Sequence, residues 1–235
     1  MKRALLFAAA TVSLGVSLIA ADSDPKDDIT NAAKQLADKG NYSWHTTVKV
    51  PEASPFRPGP TDGKAEKEGF TCLTLRFGDN TTQAVLKGDK AAATTADGDW
   101  QSLSELDGAE GPTRFLGMML RNFKAPAAQA TQLAGYAKDF KKDGDTYSAE
   151  LTEDGAKTLL SFRGRSGDGP TVTNPKGSVK FWLKDGALTK YEFNVKGNVS
   201  FNGNDFDQDR TTTVEIKQVG TTKISVPDEA KKKLS

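Results

Sequence analysis

"SVKFWLKDGALTKYEFNVKGNVSFNG", residues 178–203, decides the fold. Asp185-Gly186 is a two-residue hairpin signal, and the residues after it alternate by parity. Tyr191, Phe193, Val195, Val199 and Phe201 share one side, while Lys190, Glu192, Asn194, Lys196, Asn198 and Ser200 share the other. At about 3.3 Å per residue this predicts a strand roughly 30 Å long, with one dry face and one wet face, as in an antiparallel sheet. The dry face requires a cover.

Further strands flank this hairpin. "DRTTTVEIKQVG" (209–220) reads as a closing strand, and "YSWHTTVKV" (42–50) as an early one. In the latter, Tyr42, Trp44, Thr46, Val48 and Val50 share the apolar side, and His45 points the other way. "PEASPFRPGPTDG" (51–63) reads as an exposed loop, followed by a strand group over 64–77. Gly78-Asp79, Gly88-Asp89 and Gly98-Asp99 recur every ten residues and punctuate an antiparallel meander. "DFKKDGDTYSAEL" (139–151) is another hairpin, and "GRSGDGPTVTNPKG" (164–177) reads as loop.

Helices interrupt these strands. Asp24 as N-cap, Pro25 at the first helical position and Gly40 as stop define a helix over 24–39. Its stripe is Ile29, Ala32, Ala33, Leu36 and Ala37. Thr152 caps a later helix. Mid-chain, "PTRFLGMMLRNF" and "APAAQATQLAGY" form two short helices, broken before Pro126 because a residue preceding proline leaves helical geometry. In the first, Gly111 is the expected cap. Phe115, Leu116, Met119, Leu120 and Phe123 form one apolar stripe, with Met118 at its flank and Arg114 and Arg121 opposite. Met118 and Met119 are the only methionines beyond the initiator, and methionine repacks easily against varied apolar partners. The same residues would equally fill an irregular core.

Residues 1–21 read as a secretory signal: Lys2 and Arg3, an apolar run from Ala4 to Ile19, then Ala20 and Ala21. Its removal takes the formal charge from +1 to −1, so no basic excess remains to attract nucleic acid. Residues 22–235 are expected to form a single domain. The one cysteine, Cys72, excludes an internal disulfide and reads as a buried small hydrophobe. No cysteine follows the apolar run to carry an N-terminal lipid.

Chemistry is sparse. One histidine and one cysteine leave no metal-ligand cluster of usual spacing, and "GRSGDG" lacks the final glycine of a nucleophile elbow. A Ser/His/Asp set would have to use His45, which reads as a surface histidine. Asp205, Asp207 and Asp209 alternate as in calcium loops but lack the glycine and glutamate of one, so they read as an acidic connecting loop. The terminal "PDEAKKKLS" reads as a solvated tail with one helical turn. No enzyme, cofactor or metal is expected.

The element order resembles the periplasmic lipoprotein-carrier superfamily: the Lol-type lipoprotein localisation factors and the related mycobacterial lipid-binding lipoproteins. The resemblance spans roughly 24–227 and rests on "YSW" after the first helix, the "GDKAAATTADGDWQSLSEL" meander, the mid-chain helices and "VKFWLKDGALTKYEF". It implies an α+β fold, a strongly curved antiparallel sheet or incomplete β-barrel with an N-terminal helix and a lid of short helices, between which acyl chains bind. On that basis Trp44, Val48, Phe115, Leu116, Met119, Leu120, Phe123, Tyr191, Phe193 and Val195 are the expected ligand-binding residues. The expected protein is an exported, monomeric carrier or chaperone of the periplasm or cell envelope. Its partners would be a lipid or acylated protein and a membrane donor or acceptor. The alternative is a structural or protein-interaction module whose core is filled by its own side chains.

Overall fold

In the computed structural model, which describes residues 24–52, 54, 57–161, 170–201 and 203–234, Asp185 and Gly186 form a two-residue turn, both with positive φ. The expected signal segment lies outside the described residues. The chain runs α1 (Pro25–Asp38), β1 (Asn41–Lys49), β2 (Thr61–Glu66), β3 (Thr71–Phe77), β4 (Asn80–Lys87), β5 (Lys90–Thr94) and β6 (Trp100–Ser102). It continues through α2 (Leu103–Gly108), α3 (Gly111–Arg121), α4 (Pro126–Tyr136), β7 (Ala137–Asp143), β8 (Thr146–Leu151) and α5 (Glu153–Leu160). It closes with β9 (Thr171–Lys184), β10 (Ala187–Phe201), β11 (Asn204–Lys217) and α6 (Asp228–Lys233).

The fold is α+β. The strands form one curved, 11-stranded antiparallel sheet in the order β6-β5-β4-β3-β2-β1-β11-β10-β9-β8-β7, open between β6 and β7. Every neighbour is sequential except β1 and β11, which pair from Ser43 with Lys217 to Lys49 with Thr211 and join the two halves of the chain. Turns at Gly78-Asp79 and Gly88-Asp89 connect β3 to β4 and β4 to β5, as their spacing predicts.

The dry parity of β10 is buried at Tyr191, Phe193, Val195 and Val199, facing Val179, Phe181 and Val214 of its neighbours. Asp24 caps α1, and Ile29, Ala32, Ala33 and Leu36 are buried. Ala37, the last member of the expected stripe, is exposed at the helix end. α1 packs on α4, whose Ala127, Ala130 and Ala134 are buried, and α1 also covers β9 and β10. Tyr147 of β8 donates to the Asp28 carboxylate at 2.8 Å and ties α1 to the far edge of the sheet.

Five expectations change. β2 begins at Thr61, so Thr61, Asp62 and Gly63 belong to a strand paired on both sides rather than to the preceding loop. β9 begins at Thr171, where the sequence reads as loop, because a bulge absorbs Pro175: Asn174 takes φ 51° and the register steps between Lys196 and Asn198. Gly197 makes that bulge possible, since a Cβ there would crowd the Leu160 side chain and the Thr173 carbonyl at 3.0–3.1 Å. Asp205, Asp207 and Asp209 extend β11, facing Ser200, Asn198 and Lys196 of β10. Among the described residues no three His, Cys, Asp or Glu side chains converge to hold a metal ion.

The fourth change is the tail, which is not simply solvated. Ala230 and Leu234 of the α6 region are buried with Val85 and Ala92 in a second small core on the outer face of the sheet. Fifth, Cys72 is half-buried beside that core rather than fully enclosed, and burial pushes its thiol up.

α2, hidden inside a run that reads as strand, carries a capping box between Ser102 and Glu105. Glu105 also accepts from Lys233 Nζ at 2.7 Å, which clasps α6 to α2. The lysine hydrogen bond, then those from the Ser102 backbone and hydroxyl, hold the Glu105 carboxyl down at about 2. A depressed carboxyl stabilises the fold at pH above its ordinary value of 4.5, and that contribution is lost as pH falls through about 2. An NMR titration of Glu105 is expected to show a midpoint near 2, rising toward the ordinary value in Lys233→Met. A wild-type midpoint near 4.5 would disprove the clasp.

Candidate functional site

The sheet curves round a cavity of about 410 Å³ beneath the mid-chain helices. Its floor is built from alternate residues of neighbouring strands: Trp44 of β1, Leu73 and Leu75 of β3, Tyr191 and Phe193 of β10, and Val214 of β11. Period-two alternation in antiparallel register brings these positions to the same side. The roof is Phe115, Met118 and Met119 of α3 and, just beyond that helix, Phe123. Gln129 and Gln132 of α4 and Leu159 of α5 close the sides.

Two contacts connect floor to roof. The Trp44 indole stacks on Phe123, with ring centres 6.2 Å apart and planes at 21°. The ring lies over Gly63, its direct partner in β2, where a Cβ would overlap Trp44 Cζ2. The Tyr191 hydroxyl donates to Gln129 Oε1 at 2.6 Å, and complete burial holds that phenol well above its usual value. α3 is braced from outside by an ion pair between Arg121 and Asp107 of α2. Arg121 thus serves the helical layer rather than simply facing water, whereas Arg114 is exposed. The cap of α3 is Glu110, one residue before the expected Gly111.

Of the expected residues, Trp44, Phe115, Met119, Phe123, Tyr191 and Phe193 line this one cavity. Leu116, Leu120 and Val195 are instead buried in the core, and Val48 is half-buried on β1; none of these four lines the cavity. Periodicity assigns a residue to a face but not to a depth on that face. Met118, Leu75, Gln129, Thr212 and Arg210 also line the cavity, beyond the expected set. Arg210 carried a signal: it shares the parity of Thr212 and Val214, so an arginine stands on the dry side of its strand.

The opposite face of the sheet carries a more open, polar cleft of about 600 Å³ between β1–β4 and the segment Lys223–Pro227. His45 lies there with Nδ1 2.6 Å from Asp62 Oδ1, and Arg76 donates to the other carboxylate oxygen at 2.7 Å. Partial burial pushes the Asp62 carboxyl up, but the His45 and Arg76 hydrogen bonds outweigh this and hold it below its usual range. Ser43, two residues from His45, is hydrogen-bonded to the Lys217 carbonyl at 3.2 Å and to Gln218 at 3.1 Å. The hydrogen-bonded group of His45, Asp62 and Arg76 sits on the outer side of the sheet, away from the cavity.

No described helix is long and apolar enough to cross a membrane. No family model matches the sequence, and no curated protein matches it either. Among solved structures, the chain is similar to the lipoprotein LppX of Mycobacterium tuberculosis, with 10% identity and a TM-score of 0.49 over 87% of this chain and 100% of that one. It is also similar to LprF of Mycobacterium bovis, with 11% identity and a TM-score of 0.42 over 87% of this chain and 96% of that one.

Proposed function

We propose that the protein is an exported, non-catalytic carrier that holds the acyl chain of a lipid or acylated protein in the cavity between the sheet and the mid-chain helices. One observation carries the reading: a mainly apolar cavity of about 410 Å³ lies between the curved sheet and the mid-chain helices, beside the continuous buried core. That volume falls in the range of small-molecule sites, roughly 300–1,000 Å³. A core completed by its own side chains would have no such space, which favours the carrier over a structural module. Binding would come from burying methylenes, each worth about 0.8 kcal/mol. Met118 and Met119 let the roof adjust to chains of different shape.

The resemblance to lipoprotein carriers agrees with this role, and with a monomer of the cell envelope that exchanges cargo with a membrane donor or acceptor. The reading is tested by expressing the full chain in a bacterial host, then applying native mass spectrometry and organic extraction to the exported product. Bound acyl species, or uptake of a fluorescent fatty acid after delipidation, is the expected result. A protein that emerges without lipid and takes up no fatty acid would overturn it.

A further inference from the structure

Resting on the acyl-carrier reading, we propose that Arg210 is the anchor for an anionic end group, a carboxylate or phosphate, on the bound chain. Arg210 stands on β11 opposite Val195, in the wall of a mainly apolar cavity whose other basic lining residue, Lys124, is exposed just beyond α3. One terminal nitrogen donates to the Leu159 carbonyl at 3.3 Å, near the end of α5. The Nε is shut off from solvent and makes no hydrogen bond.

Among the described residues no carboxylate pairs with this guanidinium. Two acids of β10 and β11 are already committed. Asp209 accepts from Asn194 at 2.8 Å and Glu192 from Thr213 at 2.7 Å, both on the opposite parity. Burial pushes the guanidinium down from its ordinary value with no nearby anion to raise it. Arginine nevertheless stays charged in proteins, so its donors require acceptors.

Arg210 is half-buried, with its Nε the part shut off from solvent, and within the protein a single carbonyl satisfies only one of its five N–H donors. The edge formed by Nε and a terminal nitrogen matches the two oxygens of a carboxylate or phosphate. A chain lying against Phe193 and the α3 roof with its acidic end at Arg210 would bring that missing acceptor into the cavity. The inference therefore narrows the ligand class to acyl chains ending in an anion. The competing role for Arg210 is purely structural: satisfying the last carbonyls of α5.

The test is displacement of a dansyl fatty acid from delipidated full-length protein by matched competitors: palmitic acid, palmitoyl lysophosphatidic acid and palmityl alcohol. Acetate and inorganic phosphate serve as chainless arms. One or both acidic lipids are expected to bind wild type about tenfold or more tighter than the alcohol, as a charge-assisted hydrogen-bond pair allows. Whichever acid wins identifies the carboxylate or the phosphate as the source. Arg210→Gln should abolish that preference by weakening the acids alone, and Arg210→Lys should retain part of it.

Equal displacement by acids and alcohol in wild type, a comparison that needs no variant, overturns the anchor while leaving the carrier reading intact. Displacement by acetate or phosphate at concentrations matching the lipids would also overturn it, since the site would then bind free anions. If no chain of any kind displaces the dye, the carrier reading itself falls and the anchor with it.

Discussion

Thr212→Trp is expected to lower the affinity for a fluorescent fatty acid about 100-fold while leaving the protein folded. Thr212 is buried in β11 between Val48 of β1 and Phe193 of β10, and its side chain lines the cavity of about 410 Å³. An indole suits a strand position and extends into space that is already open, so the sheet itself need not move. Displacing about four methylenes at ~0.8 kcal/mol each removes about 3 kcal/mol of binding, roughly two powers of ten. Filling a cavity is neutral or stabilising where the shape fits, and overpacking costs about 1–3 kcal/mol where it does not. Titration of the dansyl fatty acid, alongside urea unfolding, separates the two effects. Unchanged affinity in a folded Thr212→Trp protein would show that acyl chains do not occupy this cavity.

Trp44→Ala is expected to destabilise the fold by about 3–5 kcal/mol, the range for truncating a buried large aromatic. The indole is 3% exposed, packs against Tyr42 at 5.7 Å between ring centres and stacks on Phe123, so its loss also detaches the roof. Gly63 is the coupled position. A methyl group there would overlap the indole and push it off Phe123, so Gly63→Ala should cost about 1–3 kcal/mol on its own. In a Trp44→Ala background the obstacle is gone, and Gly63→Ala should be nearly silent. Urea unfolding of the four proteins in the cycle measures that difference as a coupling energy. Additive costs would mean that the ring does not rest on the glycine.

Much of this architecture was legible in the chain. Parity over 190–200, the Gly-Asp turns, the Asp24 and Thr152 caps and the split before Pro126 all reappear in place. The misreadings share a cause. Pro175 and residues 61–63, the end of a Pro/Gly-rich run, look like loop by composition, yet a bulge and a two-sided pairing hold them in the sheet. The Ser102–Glu105 box was present in the letters but lay at the end of a run of short strands. At the site, six of the ten expected residues meet around one cavity, while Leu116 and Leu120 pack into the core from the same helix.

Local sterics and period are written into consecutive residues: which side of a strand is dry, where glycine permits a positive φ, and which side chain satisfies the free N–H groups of a helix. Those features need no long-range contact to be specified. Other features come from residues far apart in the chain. The pairing of β1 with β11 joins Ser43 to Lys217 and brings Trp44 within the same wall as Tyr191 and Val214. The volume left beneath Phe115 and Met119 is the remainder after two curved surfaces have packed, and no single segment encodes a remainder. Arg210 is an ordinary basic residue in the sequence; only the packing around it, with α5 at its terminal nitrogen, removes the water its Nε would otherwise bind.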